Sequence, residues 1–120
     1  ENKVISPRIT MISHSGVPVS VDVVYTNVNL SNLQGTTWGS DRYVSDNQIA
    51  IGFQAEPLAN QMPASLDQTK WLLANTYQYL NIASLNAYGS SSIYVVGTLG
   101  SAVPEDSSFT VTPTFVVSRA

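Results

Sequence analysis

Hydrophobic and polar residues alternate with period two over most of this chain, which is the pattern of half-buried β-strands. Val17, Val19, Val21, Val23 and Tyr25 alternate with Pro18, Ser20, Asp22, Val24 and Thr26. This predicts a strand with its odd positions inward. Val28 and Leu30 then fall on even numbers, so a bulge or a change of sheet is expected near Thr26. Ile49, Ile51, Phe53 and Ala55 form a second odd-phase strand. Gly52 inside it predicts the close approach of another backbone. Ile93, Val95 and Leu99 predict a third strand, with Tyr94 and Val96 on its other face. Phe109, Val111, Pro113, Phe115 and Val117 alternate with Thr110, Thr112, Thr114 and Val116. Pro113 has no N–H to donate, so that last strand is expected at a sheet edge or with a local break. Shorter apolar segments predict strands at Ile9 to Ile12 and around Leu80 and Ile82.

One segment departs from this pattern. Ser65 is followed three residues later by Gln68, the spacing of a capping box, and Asp67 suits the positive end of a helix dipole. Leu66, Leu73, Tyr77 and Leu80 are spaced by seven, four and three. The spacing predicts a helix over Leu66 to Asn75. The long polar stretches 32–47, 56–64, 83–92 and 100–108 read as loops. Short strands joined by such loops predict an all-β class: an antiparallel, jelly-roll-like sandwich with one short helix, as a single domain over residues 1–120.

Composition narrows the functional field. Only 11% of residues are charged, against 43% hydrophobic, and the missing charge is replaced by Ser, Thr, Asn and Gln. A neutral polar surface suits packed assemblies and extracellular adhesion, because copies meet without desolvating ions. It is equally the composition of an ordinary secreted β domain. The five basic residues, Lys3, Arg8, Arg42, Lys70 and Arg119, are scattered and the net charge is -3. No basic stripe exists for nucleic acid, so no nucleic-acid contact by this segment is expected. The absence of cysteine removes disulfides, thiol nucleophiles and cysteine metal sites. No apolar run approaches membrane-spanning length, so no membrane contact is expected. The polar start at Glu1 carries no signal peptide and reads as a processed product or an excised domain.

Chemistry-bearing residues are few. His14 is the only histidine and lies in Ser13-His14-Ser15-Gly16. Neighbours on an extended chain point in opposite directions, so Ser13 and Ser15 do not reach it as a nucleophile would. Asp41 with Asp46, and Glu105 with Asp106, are the candidate calcium oxygens, without EF-hand spacing. No metal site, cofactor or catalytic residue is therefore expected. Eight acidic residues form pairs by chance, and no motif singles out a glycosidase pair. Phosphate-binding glycine motifs are absent. Asn29-Leu30-Ser31 matches a glycosylation sequon, which matters only in a eukaryotic secretory pathway. Aromatic residues remain. Trp38 and Tyr43, with Asp41 between them, lie in the longest polar loop and are the candidate binding residues. Trp38 reads equally well as a lid folded over the core. Trp71 reads as packing.

The order of features then resembles a known family. Gln48-Ile49-Ala50-Ile51-Gly52-Phe53-Gln54 is followed by a proline-bearing loop and a short predicted helix, from Pro57 to Trp71. Near the end come Ser92-Ile93-Tyr94-Val95-Val96-Gly97 and the alternating run Ser108 to Val117. This is similar to the later strands of jelly-roll coat proteins of small icosahedral viruses, over about half of the chain and in pattern rather than motif. The chain is shorter than a complete shell domain, which favours a protruding or spike domain. The resemblance implies a viral structural role on the virion surface, with self-association, receptor attachment and no enzymatic site. It carries over no functional residue.

Three other readings stay open. A bacterial adhesin or pilus subunit would use the closing strand, with Phe109, Val111 and Phe115, for strand addition. A carbohydrate-binding module would use Trp38 and Tyr43. A small hydrolase ranks last.

Overall fold

Thirteen of the sixteen most deeply buried apolar residues belong to strands, and the fold follows from how those strands pair. A computed structural model describes residues 2–104 and 108–120. The chain is all-β, with strands β1 (Asn2–Ile5), β2 (Ile9–Ile12), β3 (Val19–Asn29), β4 (Thr37–Trp38), β5 (Gln48–Ala55), β6 (Lys70–Trp71), β7 (Tyr77–Leu85), β8 (Ser90–Leu99) and β9 (Thr110–Arg119). They form two sheets packed as a sandwich. In the first, β8 is central and pairs antiparallel with β5. β1 and β2 share its other edge, β1 opposite Val96–Leu99 and β2 opposite Ser90–Ile93. The break between them falls at Ser6-Pro7-Arg8. There the Ser6 side chain accepts the N–H of Val95 at 2.9 Å, holding the pairing where Pro7 has no N–H to donate. The outer edge of β5 carries β6, antiparallel, and β4, the one parallel pairing among the described residues. The second sheet has the order β7-β3-β9 and is antiparallel throughout.

The main core lies between the sheets, with Val19, Val21, Val23, Phe53, Leu72, Ile82, Leu85 and Ile93. A smaller cluster of Leu66, Tyr94 and Val96 lies apart from it, with Ile5 and Trp71 packed against it. The phase change predicted near Thr26 is present two residues earlier. The register shifts between Val23 and Tyr25 against both neighbouring strands. Beyond this bulge the even residues Thr26 and Val28 are buried. Pro113 sits on β9, an edge strand, as its missing donor requires. A Cβ at Gly52 would overlap the Lys70 carbonyl, so this glycine admits β6 against β5.

The helix predicted over Leu66 to Asn75 is not formed. Its cap begins: the Ser65 hydroxyl faces the Asp67 N–H at 3.4 Å, and Thr69 N–H donates to the Leu66 carbonyl at 3.2 Å. After that single turn, tertiary pairing overrides local preference. The Gln54 amide donates to the Ser65 carbonyl at 3.0 Å and accepts from the Thr69 hydroxyl at 2.7 Å. Lys70 and Trp71 then join β5, and Leu72 N–H donates to the Ile51 carbonyl at 2.9 Å. The predicted stripe of Leu66, Leu73, Tyr77 and Leu80 does not form one buried face. Tyr77 and Leu73 are exposed, and the anchor of this segment is Leu72, 1% exposed.

Candidate functional site

The structure brings Trp38, Asp41 and Tyr43 together in one shallow pocket of about 410 Å³, which Gln48, Leu73 and Thr76 also line. Local chemistry builds the loop that carries them. Gly35 supplies a turn at φ +80°, and the Asn47 side chain donates to its carbonyl at 3.1 Å. Thr37 N–H and Gly39 N–H then bond the Asn47 and Ile49 carbonyls at 3.0 and 2.7 Å, fixing β4 beside β5. Trp38 is half-buried against the main core, and its indole N–H donates to the Leu72 carbonyl at 2.8 Å. Trp38 thus packs on the core and also forms part of the pocket wall. Asp41 accepts the Tyr43 N–H at 2.8 Å, an Asx turn that sets the direction of Tyr43. The Tyr43 ring is 74% exposed, and the Arg42 guanidinium lies 4.9 Å from its centre. Arg42 is itself held by an ion pair with Asp67. The result is an aromatic surface beside a carboxylate and amide groups, suited to a neutral polar ligand.

A second feature lies where the sandwich is open. A cleft of about 730 Å³ separates β2 from β9. Ile9, Met11 and Ile12 line it from one sheet and Phe115 and Val117 from the other, over a base of Val19, Val21, Phe53 and Ile93. Phe115 meets Phe53 across the sandwich with ring centres 5.8 Å apart, so the odd residues of β9 point inward. Inward-facing side chains of a sandwich are ordinarily covered. Here Phe115 is 45% and Val117 62% exposed, while Phe109 and Val111 are half-buried. Of the three residues expected on an assembly strand, Phe115 lines this cleft and Val111 packs on the core.

His14 is exposed at the mouth of the cleft. The flanking hydroxyls are engaged in turns: Ser13 accepts from Ser15 N–H at 3.1 Å and Ser15 from Val17 N–H at 3.2 Å. Asp46 accepts from the Ser101 hydroxyl at 3.0 Å. The pair Glu105 and Asp106 lies outside the described residues. Among the described residues no three His, Asp or Glu side chains gather as metal ligands.

Sequence reasoning missed Ile9, Met11, Ile12 and Val117 as the walls of one cleft. The signal was present but incomplete. Each strand shows its inward face, yet alternation does not say whether a neighbour covers it. No family model matches the chain, and no curated protein or solved structure matches it either.

Proposed function

We propose that this chain is a non-enzymatic structural domain of a surface assembly, a coat or protruding spike domain of a small icosahedral virus. It self-associates and contacts a receptor. The observation that carries this reading is the nesting of strand pairs. β5 pairs with β6, β3 with β7 around them, and β1 and β2 with β8 outside those. Successive pairs alternate between the two sheets, which is the wound order of a jelly roll, a fold of viral capsid domains. The low charge supports the same reading, because neutral surfaces pack in arrays without stranding buried ions. The pocket of Trp38, Asp41 and Tyr43 is the receptor-facing candidate, for a glycan or a protein. Such a domain works at the virion surface, uses no cofactor, and leaves nucleic acid and membrane to other segments.

Light scattering over a dilution series, with binding to a glycan array and to cells, tests this. Reversible oligomers and Tyr43-dependent binding are expected. Tyr43→Ala abolishes binding with the fold intact, since this ring is exposed and Trp38 carries the local packing. A strict monomer that binds neither glycan nor cell surface overturns the reading. The outer edge of β9, unpaired among the described residues, favours a second reading, a bacterial pilus or adhesin subunit completed by strand addition. A filament of subunits joined by exchanged strands would select it.

A further inference from the structure

We propose that the position beside the outer edge of β9 is filled by an extended strand carried ahead of β1 in the same polypeptide, running antiparallel to β9. The inference rests on strand order and edge chemistry, and does not depend on the viral reading. Among the described residues, β9 pairs only with β3. Its other edge is a row of main-chain donors and acceptors. Natural edges of this length are blunted by charges or covered. From Thr110 to Ser118 this strand has no charged residue, and Pro113 is its single proline.

The nesting of pairs fixes which segment belongs there. Moving outward, the pairs alternate between sheets: β5 with β6 in the first, β3 with β7 in the second, β1 and β2 with β8 in the first. The next pair falls in the second sheet. Its later member is β9, and its earlier member is the segment ahead of β1. The chain ends agree. A strand antiparallel to β9 finishes beside Thr110. Asn2 lies opposite Leu99, and residues 100–109 already join the Leu99 and Thr110 ends of the sandwich. The strand would cross to β1 along the same route.

The cleft describes the occupant. Its lining is apolar, with His14 as its one ionisable side chain, so the inward face of the strand is uncharged. About eight residues, spanning about 27 Å, would match β9. Alternate apolar side chains would cover Phe115, Val117, Ile9 and Ile12. A second copy is the alternative occupant, and it is separated from a strand of the same polypeptide by the concentration dependence of the protection.

The test fuses a designed strand of alternating valine and threonine, through a short glycine–serine linker, ahead of Glu1. A control extension carries lysine at the inward positions and leaves the domain unchanged. Native-state hydrogen exchange is read at concentrations where each chain sediments as a monomer. The valine extension is expected to slow the outward N–H groups of β9 by about tenfold or more, independently of dilution. The lysine extension is expected to leave them fast. Equal rates with both extensions overturn the proposal. So does an unextended monomer whose outer β9 edge is already protected, or protection that appears only as concentration rises, which would assign the edge to a second copy. Oligomerisation of the extended chain bears on the structural-domain reading alone.

Discussion

The two long sides of the sandwich have the same alternation and different fates. On the side of β6 and β7, connections close over the core. Leu72 and Ile49 are buried almost completely, and Trp38 seals the seam with a hydrogen bond to the Leu72 carbonyl. On the side of β2 and β9 the inward residues are just as apolar, yet Phe115 is 45% and Val117 62% exposed. Hydrophobic patterning sets which face of a strand points inward. A neighbouring segment determines whether that face leaves water. Stability is therefore expected to be concentrated on the closed side, and the two sides are expected to answer to substitution very differently.

The largest effects should fall at the closed seam. Leu72→Ala removes a fully buried side chain between the sheets and is expected to cost about 3 kcal/mol, read as a fall in the urea midpoint at constant m-value. Gly52→Ala should match or exceed it, because the added methyl meets the Lys70 carbonyl and forces β6 off β5. If either substitution left the midpoint unchanged, the closed side would not carry the fold.

A smaller effect is expected at Asn75, which adopts φ 54°. Its side chain accepts the Val28 N–H at 2.9 Å and donates to the Val28 carbonyl at 3.2 Å, while its own N–H bonds the Thr26 carbonyl at 2.8 Å. One residue thus stands in for a strand along the end of β3. Asn75→Ala loses both side-chain bonds and the residue type best suited to that backbone. It should cost about 2 kcal/mol. Exchange should accelerate first at Val28 rather than across the whole of β3, and uniform acceleration would contradict the local account.

Asn75 also marks the limit of what alternation alone reveals. The strands around Val19–Val23, Ile49–Phe53, Ile93–Val96 and Phe109–Val117 were legible, because each turns an apolar face inward and the period of two records it. The close approach at Gly52 and the edge placement of Pro113 were legible for the same kind of reason: a missing side chain or a missing donor constrains its neighbour. The segment from Ser65 to Asn75 was not. Its cap and spacing obey helix rules, but Gln54 and the edge of β5 offer bonds that no local window contains. The pocket was half legible. Trp38, Asp41 and Tyr43 stand close in sequence, but the wall made by Leu73 and Thr76 comes from a distant loop. The cleft was illegible, since exposure of an inward residue depends on strand order.

Thr26 offers a test in the opposite direction. Its hydroxyl is buried, and among the described residues it has no hydrogen-bond partner. Thr98 is in the same position on β8. An unpaired buried hydroxyl retains its desolvation penalty, so Thr26→Val should raise stability by about 1 kcal/mol. Destabilisation would mean that the hydroxyl is bonded within the folded core.

The smallest expected effect lies at the open side and sharpens the comparison most. Val117→Thr keeps the shape and β propensity of the side chain and adds a hydroxyl. In a dry core that exchange costs at least about 1 kcal/mol. Facing an open cleft, Val117 already meets water over 62% of its surface, so the change should stay within about 0.5 kcal/mol. The two sites therefore exchange the same pair of side chains in opposite senses, at Thr26 in the closed core and at Val117 beside the free edge. A core-sized loss at Val117 in the 120-residue chain would show that something already covers the cleft. The same substitution, repeated with a strand fused ahead of Glu1, should become costly only if that strand packs its valines against Val117. The change in cost between the two chains thus measures how far the open side has become like the closed one.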